Sequence, residues 1–201
     1  MLKMNILCIK QESLTEQLCL WEEAELPSID KPKAISDWFQ WQVGIWTGGE
    51  ITKDSSPLEI RTKICNIEQQ MKEASSQGIM RDTVNDYELV HRFADNVYCR
   101  EIHIPAGHVV VGKIHKKEHI NFISKGRVTV ITEQGGIEEL VAPCTLVSPP
   151  GVKRLLVTHE DTIWSVIHST EETDLEKIEE QEIARSYTEI GWEQPAALLK
   201  G

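Results

Sequence analysis

What this sequence lacks narrows the field first. No run approaches the roughly 20 apolar residues that a membrane span needs, and the first ten residues hold only a short apolar stretch without a small-residue cleavage site. A cytoplasmic protein with no membrane partner is expected. The five cysteines, Cys8, Cys19, Cys65, Cys99 and Cys144, are odd in number, scattered and free of any C-x-x-C pair, so neither a disulfide framework nor a zinc ribbon is expected. Positive charge is in deficit, with 21 Lys and Arg against 32 Asp and Glu and a formal net charge of −11. Such a field repels phosphates and argues against broad nucleic-acid binding. There is also no G-x-S-x-G elbow, no G-x-x-x-x-G-K-[ST] loop and no H-E-x-x-H.

What is present is ordinary in amount and uneven in texture. At 201 residues, 40% hydrophobic and 26% charged, the chain is large enough to bury one main core. Residues 1–85 read as a helical and irregular arm, 86–170 as a β-barrel, and 171–201 as an acidic helix and docking tail. In the arm, Trp38, Phe39, Trp41 and Trp46 cluster near Ile35 and Ile45 before Gly48-Gly49, which asks for a surface to cover. Ser56 and Glu59 have capping-box spacing with Pro57 at the first helical position, and Ile60, Ile64, Ile67 and Met71 repeat along one face. That stripe is a packing face. In the last part, Thr173 and Glu176 again have capping-box spacing. The acidic run after them reads as a solvated face, and Trp192 and Pro195 suggest a tail that docks.

Between these lie short β-rich runs at 97–104, 109–115, 119–123, 127–132, 138–141, 146–148, 154–158 and 162–168. Pro105-Ala106-Gly107, Lys125-Gly126, Gly135-Gly136 and Pro149-Pro150-Gly151 separate them. Many short strands punctuated by Gly and Pro indicate an antiparallel sandwich or barrel, and closure hides its edges. Lys113 and His115 are two apart and share a strand face, and a tight turn at Lys116-Lys117 returns His119 beside them. All three are expected in one cavity. Lys113, Lys116, Lys117, Lys125, Arg127, Lys153 and Arg154 also concentrate positive charge there.

This stretch resembles the cupin superfamily, a jelly-roll fold whose two motifs place glycines, three histidines and one glutamate at set intervals. Gly107, His115 and Gly126 fall on the first motif, with Lys113 at the first histidine position and His119 at the glutamate position. Pro149 and Gly151 keep the turn of the second, with Pro143, Arg154 and Thr158 at its glycine, histidine and asparagine positions. The resemblance implies a mainly β barrel with an N-terminal helical arm and a C-terminal helix, and one divalent transition metal ion inside it. Its ligands here would be His115 and His119, completed by His168, His103 or Glu101. Phrases such as Gly112-Lys113-Ile114-His115 and Ser148-Pro149-Pro150-Gly151 also resemble small cupin-like proteins of tailed bacteriophages. That implies a phage origin, in the host cytoplasm or as part of the virion, without a substrate.

Two functions follow as expectations. In one, the barrel binds a metal through its histidines or a small anion through Lys113 and Arg154, a carboxylate or phosphate and, in a phage setting, a nucleotide or signalling molecule. In the other, the barrel is a non-enzymatic scaffold, and the arm and tail hold a homo-oligomer together.

Overall fold

The computed structural model describes residue 51, residues 54–76 and residues 87–192. The tryptophan cluster at 38–46 and Pro195 lie outside them. The capping box forms as the spacing predicts: the Ser56 amide donates to Glu59 Oε2 at 2.7 Å and the Glu59 amide to Ser56 Oγ at 3.3 Å. It opens α1 (Pro57–Ser76). The strands follow as β1 (Glu88–Ala94), β2 (Val97–Ile104), β3 (Val109–Val111), β4 (Ile114–His115), β5 (His119–Lys125), β6 (Arg127–Thr132), β7 (Gly136–Val141), β8 (Cys144–Ser148), β9 (Leu155–Thr158) and β10 (Thr162–Ser169). Then come α2 (Leu175–Glu182), β11 (Ile183–Ala184) and a 3-10 turn at Tyr187–Ile190.

Pairing between distant strands defines the topology. β2 pairs with β10, β3 with β9, β5 with β8 and β6 with β7, all antiparallel. The segment is thus one long hairpin folded over itself into two sheets, ordered β1-β2-β10-β5-β8 and β3-β9-β6-β7. This is the jelly roll, and the fold is mainly β with, among the described residues, one helix before the barrel and one after it. Two strands escaped the sequence reading. β1 adds an edge with no Gly or Pro boundary of its own, and β11 is a two-residue bridge to β4.

The two sheets are covered differently. Strands β3 and β9 of the four-stranded sheet are buried on both faces, which is why they read VVV and LLVT instead of alternating. Val110, Val128, Val130 and Leu156 point into the barrel. Val109, Val111, Ile131, Leu155 and Val157 point outward into the Ile60, Ile64, Ile67 and Met71 stripe of α1. The five-stranded sheet alternates cleanly, β5 being buried at every second residue. Its outer face carries Ile120, Phe122 and Val147 in the open.

Two expectations about the C-terminal part are corrected. Asp174, not Thr173, caps α2, accepting from the amides of Glu176 and Lys177. The acidic run is a clamp and not only a solvated face. Lys113 bonds Glu179, Lys117 Nζ lies 2.7 Å from Glu182 Oε1, and Lys116 Nζ lies 2.8 Å from the Glu180 carbonyl. Three of the seven clustered cations, Lys113, Lys116 and Lys117, therefore fasten the helix. The described part of the tail, 186–192, packs on its own chain. Arg61 lies 4.6 Å below both the Tyr187 and Trp192 rings, and a side chain at Gly151 (φ 83°) would collide with Trp192. Among the described residues no helix is long and apolar enough to cross a membrane.

Candidate functional site

Register places the site. On β5 the inward residues are His119, Asn121 and Ile123, and their cross-strand neighbours divide the barrel interior into three levels. At the first level His119 faces Ser148 on β8, and His168 on β10 faces Tyr98 on β2. At the second, Asn121 faces Leu146 and Val166, and Val166 faces Arg100. At the third, Ile123 faces Cys144 and Trp164, and Trp164 faces Ile102. The interior thus runs from a polar mouth to an apolar floor.

At the mouth three imidazoles gather. The ring centroids of His115 and His119 are 4.0 Å apart, and each lies 5.2 Å from that of His168. Burial, with the like charge of neighbouring groups, holds all three neutral. His115 is pushed well below the usual histidine value, His119 is lowered, and His168 is lowered to about 3. His119 donates from Nδ1 to the Lys117 carbonyl at 3.0 Å. A carbonyl can only accept, so the ring proton sits on Nδ1 and Nε2 is a bare lone pair. Nε2 of His119, Nδ1 of His115 and Nδ1 of His168 are buried without a hydrogen-bond partner. Nδ1 of His168 does lie 3.3 Å from Glu182 Oε2, but the neutral ring makes this a contact and not an ion pair. The carboxylate is instead held by Lys117.

Behind the imidazoles, a chain of hydrogen bonds positions Arg154. The Trp164 indole donates to Asn121 Oδ1 at 2.9 Å, Asn121 Nδ2 donates to Ser148 Oγ at 2.7 Å, and Arg154 Nη2 donates to the same oxygen. An indole N–H can only donate, which fixes which way the Asn121 amide faces. Arg154 is 9% exposed, its Nε–H has no partner, and burial lowers its pKa to about 10. Among the described residues no carboxylate lies within ion-pair distance of it. Arg154 lines a cavity of about 70 Å3 together with the polar residues Arg100, Lys113, His115 and Asn121 and the apolar residues Ile102, Val110, Leu156, Trp164 and Val166.

The structure therefore brings together Lys113, His115, His119, His168 and Arg154. It does not bring Glu101 and His103 to them, contrary to expectation. Both are odd-numbered residues of a strand whose even-numbered residues face inward, so they lie on the outer surface. There Glu101 accepts from His103 at 3.0 Å and Arg92 at 3.2 Å, contacts that lower its pKa. Arg100, Asn121, Ser148, Trp164 and Glu182 were not singled out as site residues in the sequence reading. Counting two residues on from His119 reaches Asn121, and two on from Tyr98 reaches Arg100; Glu182 gave no local signal.

Do these residues suit a metal? Three neutral imidazoles with orphaned nitrogens are the right chemistry for a divalent transition ion. Their placement is not. The rings stack at interplanar angles of 13° to 31°, and among the described residues no three His, Cys, Asp or Glu side chains form a group that would hold an ion. Arg100 and Arg154 also add positive charge beside the rings.

No protein-family model matches the chain, and no curated protein does. Solved structures similar to part of it are cupin-domain proteins. They include an acetylacetone dioxygenase from Acinetobacter johnsonii (20% identity, 41% of this chain and 58% of that one, TM-score 0.34). A cupin-2 domain containing protein from Shewanella frigidimarina is similar over 41% of this chain and 78% of its own, at 12% identity and TM-score 0.34. A predicted oxalate decarboxylase from Thermotoga maritima is similar over 41% and 80%, at 16% identity and TM-score 0.35. The chain thus spans little more than half of the Acinetobacter enzyme. Likeness at this level bears on neither ligand nor reaction.

Proposed function

We propose that this is a cupin-type binding protein whose barrel mouth takes a small anionic organic molecule. The observation that supports this reading is Arg154, a buried cation with a spare N–H and, among the described residues, no carboxylate within ion-pair distance, Glu138 acting on it only from farther off. Burying an unpaired charge is costly, and a carboxylate accepting from a guanidinium in a low-dielectric site offsets that cost. Arg100 and Lys113 line the same space. Lys113 is already engaged by Glu179, so it contributes field more than a free contact.

The size of the cavity limits the ligand. An apolar cavity of about 150 Å3 holds benzene, so about 70 Å3 suits a handful of heavy atoms and would enclose at most a part of a nucleotide. The wall of Ile102, Val110, Leu156, Trp164 and Val166 asks for carbon beside the charge. The reading is tested by titrating the full chain with C2 to C4 carboxylates and following heat or thermal unfolding. A saturable carboxylate response that is lost in Arg154→Gln is expected. No response to any small carboxylate would overturn it.

A further inference from the structure

Resting on that reading, we infer that the anion carries a hydroxyl beside its carboxylate, so that the site is built for a small hydroxycarboxylate. The mouth presents two kinds of unmet demand at once. Arg154 Nε–H is a donor that can do nothing else, and it is buried without an acceptor. His119 Nε2 is the opposite, because its Nδ1 is committed to donating to the Lys117 carbonyl, which leaves Nε2 an acceptor without a donor. A simple carboxylate meets only the first demand. A neutral alcohol can donate to the second and accept from the first, but it brings no negative charge to the guanidinium.

The two groups flank one residue. Ser148 faces His119 across the β5–β8 ladder and receives the Nη2 bond of Arg154. Both orphaned nitrogens thus belong to side chains gathered about Ser148, and a ligand that carries an acceptor and a donor side by side matches the pair in kind. His115 adds a further orphaned ring nitrogen: it lines the cavity, it stacks on His119, and its Nδ1 has no partner. Neutral imidazoles suit this role because a protonated ring would donate where the site needs an acceptor. Inorganic phosphate also joins acceptors to an O–H, but it has no carbon to place against the apolar wall.

A site whose buried polar groups are paired only by the right hydroxyl discriminates against the analogue lacking it. The experiment compares matched pairs on the full chain by calorimetry at neutral pH with a chelator present: glycolate against acetate, and lactate against propionate. The hydroxy acid is expected to bind at least about ten-fold tighter in each pair. Arg154→Gln is expected to lose both members, and His119→Phe to bind lactate no better than propionate. If a variant does not fold, the wild-type pairs decide alone. Equal affinities within each pair would overturn the hydroxyl while leaving the anion site standing, whereas no binding of any acid removes both. A preference that appears only when zinc is added would overturn the inference too, since the hydroxyl would then be read by a metal. Tighter binding of inorganic phosphate than of lactate would do the same.

Discussion

The mouth and the floor of this barrel are built by the same strands, through the same alternation, and hold opposite contents. At the floor Ile123, Trp164 and Ile102 meet across neighbouring strands with almost no exposure, and apolar burial leaves nothing unsatisfied. Two levels up, the same strands offer His119 and His168, with Arg154 beside them and four side-chain nitrogens orphaned. Folding gains stability from the first arrangement and gives some up in the second. Unmet polar groups concentrated in one place are in keeping with the binding role proposed above.

The comparison breaks most visibly through truncation. Ile123→Ala removes a fully buried side chain from the floor and is expected to destabilise the protein by about 2–5 kcal/mol in urea unfolding. Arg154→Met at the mouth replaces a lone buried cation with an apolar side chain of similar length, and stability is expected to hold or rise while anion binding disappears. If Arg154→Met unfolds as readily as Ile123→Ala, the mouth is a second piece of scaffold and the distinction fails.

Acid sharpens the same contrast. His168 titrates near 3 in the fold and near 6.5 when unfolded, so between those values the unfolded chain binds a proton that the folded chain refuses. Stability from its neutral form is complete above about pH 6.5 and falls with pH below it, by about 1.4 kcal/mol per unit for each such ring. His115 and His119 add to the slope in the same direction. The nearby fixed charges are Arg100, Arg154 and Lys117, with Glu182 against His168. Denaturation followed from pH 6.5 to 5 stays above the carboxylate range. His168→Leu should flatten the slope by about one proton's worth. An unchanged slope would mean that His168 is charged in the fold.

How far the sequence carries the argument depends on which interactions are local. The α1 cap and stripe, the turns at Gly and Pro, and most barrel strands were legible because each rests on residues a few positions apart. So was the pairing of His115 with His119, joined by a short turn. His168 was named only as a completion. Its place beside them depends on β10 returning between β2 and β5, a long-range fact. Glu182 reaches the mouth through the β11–β4 bridge, which pairs Ile183 with His115 and has no signature of its own. The lysines misled for the same reason: their partners on α2 lie 60 or more residues away.

Strand β2 offers the finest test, because Arg100 and Glu101 are adjacent in sequence and lie on opposite sides of the sheet. Arg100 lines the cavity, whereas Glu101 sits among Arg92, His103 and Ser165 on the outer surface. Removing the charge with Glu101→Gln weakens ion pairs whose Arg92 partner is half exposed, which are worth little in water. A change within about 0.5 kcal/mol in stability and none in carboxylate affinity is expected. Should Glu101→Gln alter affinity as much as Arg154→Gln does, the register drawn for β2 is off by one residue and every inward assignment on that strand changes with it.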